Sequence, residues 1–416
     1  MPARSPFSET VSGNPQQEIA RIAELRSIHN AFYYLHNQEM EFRRWQMELA
    51  DVPAPPFGEA ERSQWLRQRF LSLGLHHVQT DELGNVFGLF HESQQAPLVA
   101  VSAHLDTVFP QGTRLGSREE GNKLYGPGIS DNAAGVVAML AVASALQRAD
   151  LHPTTNIVFI GNVGEEGEGN LRGMRHIFAS PFWSNAIRSL LVIDGAGSDT
   201  YVTQALGSKR FEVICRGPGG HSWSDFGIPN PIVLLCRAVA DFSRCEVPEL
   251  PRTTFNIGVI QGGTSVNSIP ESASARVDLR SASMQELHRL EQRLREAVRA
   301  AGSDYAGEPS GYAKESKISF EIQIIGDRPA ATLPADARIA QVIRAVDAHL
   351  GIKSIPRLAS TDANIPLSLG KEAITIGSGG DGGGAHTLRE WFDCTHRDLG
   401  LKRILLALLA LTGVQE

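Results

Sequence analysis

Cysteine is scarce: Cys215, Cys236, Cys245 and Cys394 are the only four in 416 residues. None is spaced Cys-x-x-Cys, so neither a zinc ribbon nor a disulfide framework is indicated. They are expected to be small buried hydrophobes in a reducing compartment. No apolar run reaches the roughly eighteen residues that a membrane helix needs, so no span is expected. Residues 1–17 are polar and lack an apolar core, so no secretory signal is visible and the cytoplasm is the expected location. No basic block occurs and the net charge is -7, which argues against a nucleic acid partner.

What is present is the composition of a globular protein, 42% hydrophobic and 20% charged. The length exceeds one ordinary core, so two domains are expected. Residues 1–15 read as disordered. Residues 16–50 carry Ile19, Ile22, Leu25, Ile28 and Phe32 at helical spacing. A proline-rich break at 51–57 precedes a second helix at 59–73, with Trp65, Leu66, Phe70 and Leu71 inward and Gly74 as its cap. A hairpin at 78–90 turns at Leu83-Gly84-Asn85.

The rest is organised around residues 156–169, where an apolar strand ends in glycines that carry Glu165 and Glu166. Two carboxylates beside a core strand are costly unless a cation or water meets them. Glu166 reads as a metal ligand and Glu165 as the group that handles a water's proton; a solvated acidic turn is the plainer alternative. The strand at 97–103 runs into His104-Leu-Asp106, whose i and i+2 residues share a face. There His104 is a candidate ligand and Asp106 a candidate to orient it. Asp131 follows a glycine-rich turn where a helix of small residues opens, as an N-cap or as a bridge between two metals. Residues 190–197 repeat the device, with Asp194 after an apolar strand. Strand ends converging on one point are where open α/β sheets bind ligands. Near the C-terminus, glycines around Asp381 precede His386, and a closing helix at 398–411 reads as amphipathic.

Between these stretches the pattern changes. Strands at 210–215, 253–260, 273–280 and 318–325, with helices at 232–242 and 284–301, predict an α+β module inserted at 207–324. The expected division is 1–206, 207–324 and 325–416.

The motifs His104-Leu-Asp106, Gly128-Ile-Ser-Asp131-Asn, Glu165-Glu166-Gly, Val192-Ile-Asp194 and Ala385-His386-Thr stand in this order. So do Gly217-Pro-Gly-Gly-His221 and the run from Asn267 to Arg280. Together they resemble the M20-type zinc metallopeptidases and amidohydrolases, which include glutamate carboxypeptidase, acetylornithine deacetylase, aminoacylase and peptidase T. The resemblance implies an α/β fold: a mixed-sheet, zinc-exopeptidase-like catalytic domain with an inserted four-stranded, two-helix lid and dimerisation domain. It implies two zinc ions per subunit, with cobalt or manganese as substitutes. Asp131 would bridge, Glu166 and His386 would complete one site, and His104 and Asp194 the other. Glu165 would be general base and then acid, with Asp106 supporting His104. His221, Asn267 and Arg280 would contact substrate, and the protein would be a homodimer joined through the lid domain.

The expected reaction is hydrolysis of a terminal peptide bond in small peptides. Ser360-Thr-Asp362-Ala-Asn364 and the glycine-rich loop before His386 favour a peptidase, whereas Asp327-Arg-Pro329 looks carboxypeptidase-like. An N-acyl amino acid deacylase is the alternative, followed by a glutamate carboxypeptidase-like enzyme. A non-catalytic relative would be expected to have lost a ligand or the base. A phosphoesterase would need a basic phosphate cradle, which the chain lacks.

Overall fold

The computed structural model describes residues 14–93, 96–306 and 318–415. Most of the stretch expected to be disordered, 1–13, lies outside these; Asn14 caps the first helix and Pro15 opens it. The chain divides into two compact units, one drawn from 1–203, 333–357 and 361–416, the other from 204–332 and 358–360.

In the first unit, the helical stretch breaks into Pro15–Ala23, Arg26–Asn37 and Glu39–Ala50. Each turns part of the same apolar row inward, so Ile19, Ile22, Ile28 and Leu35 are fully buried. Helix Ala60–Ser72 buries Leu66 and Phe70, but Leu71 is 45% exposed, contrary to expectation. Leu71 follows Phe70 by one residue and so points about 100° off the buried stripe.

The central sheet runs in the order His76–Thr80, Val86–Leu89, Asn156–Asn162, Leu98–His104, Ile187–Ile193, Glu372–Ile376, Thr200–Ala205. The strands from Asn156–Asn162 to Glu372–Ile376 are mutually parallel, and the others pair antiparallel. All seven residues of Leu98–His104 are buried, as expected for a strand covered on both faces. Because these strands are parallel and in register, their C-terminal ends lie side by side, and the acids that follow them are brought to one edge.

Helix Ala133–Arg148 packs on Leu98–His104 and is buried along nearly all its length. The closing helix, Arg397–Thr412, is also buried all round rather than amphipathic. It is surrounded by Pro15–Ala23, Arg26–Asn37, Ala133–Arg148 and Arg338–Leu350. Of its two buried arginines, Arg403 is matched by Asp347 at 2.6 and 2.7 Å, and Arg397 donates to Gln46 Oε1 at 2.5 Å. A small sheet of Arg118–Glu120, Lys123–Tyr125, Trp391–Asp393 and Asp381–Gly383 was not expected from the sequence. It carries the segments around Asp131 and His386.

The second unit has an antiparallel sheet in the order Thr253–Gly262, Ser272–Ser281, Gly207–Arg216, Ser319–Arg328. Helices Pro231–Phe242 and Met284–Ala306 cover one face. Phe211, Val213, Leu235, Phe242, Leu279 and Leu290 form its core. This is the four-stranded, two-helix module expected. Cys215 and Cys394 are buried, but Cys236 is exposed and Cys245 half-buried, so only two of the four act as core hydrophobes.

Candidate metal centre

The structure brings together His104, Asp131, Glu165, Glu166, Asp194 and His386. His104 Nε2 lies 3.1 Å from Asp131 Oδ1 and 3.6 Å from Asp194 Oδ1. His386 Nε2 lies 3.0 Å from Asp131 Oδ2 and 3.1 Å from Glu166 Oε1. The two oxygens of Asp131 thus face two different imidazoles. The ligand atoms of His104, Asp131 and Asp194 all lie within 4.8 Å of one another. The same holds for His104, Glu165 and Glu166, and for Asp131, Glu166 and His386.

Each side chain is placed by a local device. Asp131 is not the helix N-cap: Asn132 takes that role, accepting from Gly135 N at 3.2 Å. Asn132 also donates to Ile193 O at 3.0 Å and accepts from Gly195 N, which ties this turn to the strand end bearing Asp194. Asp106 Oδ1 accepts from Glu165 N at 2.9 Å and its Oδ2 from Glu166 N at 2.7 Å. So the carboxylate of Asp106 fixes the Glu165-Glu166 backbone, while its carbonyl faces His104 Nδ1 at 3.1 Å. That pairing leaves Nε2 of a neutral His104 as the free lone pair, the form a metal requires.

Electrostatics follow from crowding acids around imidazoles. Burial pulls the His104 pKa down, but Asp106, Asp131 and Asp194 outweigh it and hold it well above the ordinary value. The hydrogen bond to Asp131 pushes His386 up to about 9, against some burial. Burial would raise Asp131, yet the two histidines bring it far below the usual carboxylate range. Burial, then the Asp131 charge, push Glu166 up to about 7. So many carboxylates gathered around two imidazoles make a donor set that suits a bound cation, with which protons would compete.

Several contributors were not singled out from sequence. Glu390 is fully buried and accepts from Gly128 N at 3.0 Å, Ser130 N at 2.8 Å and Asp131 N at 2.7 Å. Arg62, also buried, donates to Val52 O and Leu105 O at 2.8 and 3.0 Å. Asp362, which in sequence is only part of a peptidase-like stretch, is fully buried and accepts from Asn162 Nδ2 at 2.7 Å. The glycines before His386 do permit close approach: a Cβ on Gly382 would meet Ser130 Oγ at 2.6 Å.

The expected substrate residues lie in the second unit. His221 is exposed, in a two-residue strand, Gly220–His221, paired with Ser268–Ile269. Its Nδ1 accepts from Trp223 N at 3.2 Å, so the neutral ring carries its proton on Nε2. Asn267 is exposed, and its carbonyl accepts from Ser222 N at 3.0 Å. Arg280 Nε donates to Asp278 Oδ2 at 2.7 Å.

Among the described residues, no helix is long and apolar enough to cross a membrane. A probable carboxypeptidase of Ajellomyces capsulatus is 29% identical over 228 residues, 48% of this chain and 49% of that protein. The chain spans about half the length of this and other carboxypeptidase-named relatives that it matches. The crystal structure of aminopeptidase PepT from Bacillus cereus superposes with a TM-score of 0.71 at 18% identity, covering 90% of this chain and 98% of that one. The Bacillus subtilis YXEP protein, described as a dinuclear metal binding peptidase from the M20 family, superposes with a TM-score of 0.63 at 14% identity, covering 91% and 99%. At these identities the two structures share the fold. The model of peptidase family M20/M25/M40 matches residues 100–410, and the chain belongs to that family.

Proposed function

We infer that this protein is a two-metal hydrolase that removes a terminal residue from small peptides. The observation that carries the reading is Asp131, whose two oxygens stand 3.1 and 3.0 Å from the Nε2 atoms of His104 and His386. A carboxylate shared by two imidazoles, each with a further acid beside it, is a donor set for two adjacent cations. Imidazole and carboxylate suit zinc, and cobalt or manganese can occupy the same donors. Glu166 and His386 would hold one ion, His104 and Asp194 the other, with Asp131 between. Two such ions supply Lewis acidity and a nucleophile at neutral pH.

The chain's own residues do the rest. Glu165, which is not among the assigned ligands, takes the proton of the attacking water and returns it to the leaving amine. Asp106 holds Glu165 in place through its backbone N–H. His221 Nε2–H is a donor suited to a developing oxyanion, worth roughly 10²–10³ in rate. Arg280 suits a substrate carboxylate and Asn267 a carbonyl. The second unit serves as lid and homodimerisation surface, and the setting is cytoplasmic. The carboxypeptidase-named relatives favour attack at the C-terminal end.

The test is a panel of di- and tripeptides, N-acyl amino acids and folyl-type substrates, with protein stripped by phenanthroline and reloaded with zinc, cobalt or manganese. Terminal residues should be released only by reloaded protein. Turnover confined to N-acyl amino acids would make the protein a deacylase, and indifference to the chelator would remove the metal centre. Exchange of subunits between H221A and E165Q proteins should recover activity if His221 serves the partner's site.

A further inference from the structure

We propose that Arg62 is a positioning residue that holds the two ligand-bearing turns together before any ion arrives, so that the metal sites are pre-formed. The inference rests on the two-metal reading above and adds the side chain that joins its halves.

Arg62 lies in helix Ala60–Ser72 and is 1% exposed. Burying a guanidinium is costly unless partners meet it. Arg403 shows the ordinary solution, a two-pronged contact with Asp347. Arg62 is met differently. Its Nε donates to Val52 O at 2.8 Å and its Nη1 to Leu105 O at 3.0 Å, both backbone carbonyls. Burial brings its pKa down to about 10, the charges of Asp106 and Glu390 oppose that fall, and it remains a cation at neutral pH.

Each of these neighbours belongs to a ligand turn. Leu105 lies between His104 and Asp106, and its backbone is held on both sides: its N–H by Asn162 O at 2.8 Å, its carbonyl by Arg62. The Gly128 turn, which presents Asp131, lies against the same side chain. A Cβ on Gly128, where φ is 71°, would stand 3.6 Å from Arg62 Nη2 and 2.7 Å from Thr107 Cγ2. Bare glycine thus lets the two turns meet beside the guanidinium. Asp106 accepts the N–H groups of Glu165 and Glu166, and Glu390 those of Gly128, Ser130 and Asp131. One buried cation therefore serves both carboxylates that shape the centre.

The turns gather Asp106, Asp131, Glu166 and Glu390, and like charges push apart. Bound ions would counter that repulsion. Arg62 is a positive charge already fixed there, and its fork makes two bonds in a geometry that Lys does not reproduce. A site pre-formed in this way loses little binding energy to ordering its turns. The sign of the effect separates the possibilities. A positive charge near a cation site weakens cation binding by Coulomb repulsion alone, whereas a cation that positions the ligands strengthens it.

The test compares wild type, R62Q and R62K, stripped of metal and shown to be folded by thermal unfolding. Zinc affinity is read by competition with a coloured chelator, which needs no substrate. R62Q should bind zinc about 10–100-fold more weakly than wild type. R62K, which keeps the charge, should lose less. Tighter binding by R62Q would make Arg62 only a neighbouring charge. Equal affinity in all three proteins, with only the thermal midpoint lowered, would make it an ordinary core residue. Either result overturns the proposal. If R62Q does not fold, R62K decides: weaker zinc binding supports the role, and wild-type or tighter binding overturns it. If the wild type itself binds no zinc, the two-metal reading fails, a result distinct from unchanged affinity in the variants.

Discussion

Glu390 Oε1 accepts the backbone N–H of Asp131 at 2.7 Å, across 259 residues of chain. The same carboxylate takes the N–H groups of Ser130 and Gly128, so one buried acid sets the course of the whole turn that presents Asp131. Glu390→Gln keeps the shape but replaces one acceptor oxygen by an amide that faces N–H donors. We expect it to cost about 1–3 kcal/mol in denaturant unfolding. Metal affinity, measured by competition with a coloured chelator, should fall about 10–100-fold. Unchanged affinity would show that Asp131 does not depend on this contact.

Metal uptake should expel protons. Without a cation, His386 at about 9 is charged at pH 7, and the acids around the buried His104 favour its charged form. Both must be neutral, and Glu166, at about 7, must be ionised to ligate, so binding should release protons at pH 7. Calorimetry of zinc binding in buffers of different ionisation enthalpy reads the number directly. The sign also fixes the pH dependence: raised histidine pKa values oppose binding below them, so affinity should climb as pH rises towards 9 and then level. Zinc binding with no net proton release would place the ligands elsewhere.

The motifs that converge on the candidate centre are legible because each is local. His104, Glu166 and Asp194 follow apolar strands, and parallel pairing then places those strand ends together without further information. Glu390 was not legible, because its work is done through backbone N–H groups far away in sequence. Asn132 was hidden by Asp131: either residue type can cap a helix, and only the geometry assigns the cap to Asn132. In sequence, Arg403 and Lys402 give the closing helix the look of an amphipathic one with a polar face. In the fold, Arg403 is buried against Asp347, a partner supplied by another helix.

Glu165→Gln should separate binding from chemistry. The side chain keeps its size, and its backbone N–H still bonds Asp106. Both metals should therefore remain, as counted by elemental analysis, while kcat falls about 10²–10⁴-fold. KM should change little. A metal-loaded E165Q protein with wild-type turnover would remove Glu165 as the proton carrier.

Asp362 should make the metal-free protein less stable as the pH rises. It is fully buried, and burial above all, with the neighbouring Asp194 and Asp106, pushes it up to about 7 from an ordinary 3.8. Between those two values the unfolded chain has released this proton and the native state still holds it. Unfolding free energy from this group therefore falls with increasing pH, by at most about 1.4 kcal/mol per unit, and levels off above about 7. Asp362→Asn has no such proton. Its stability relative to wild type should rise steadily between pH 5 and 7 and then stay flat, whatever constant offset follows from altering the bond to Asn162. Urea unfolding of both chelator-treated proteins at pH 5, 6, 7 and 8 measures that difference. Parallel curves would mean that Asp362 is ionised throughout, with its charge already met by the histidines of the centre.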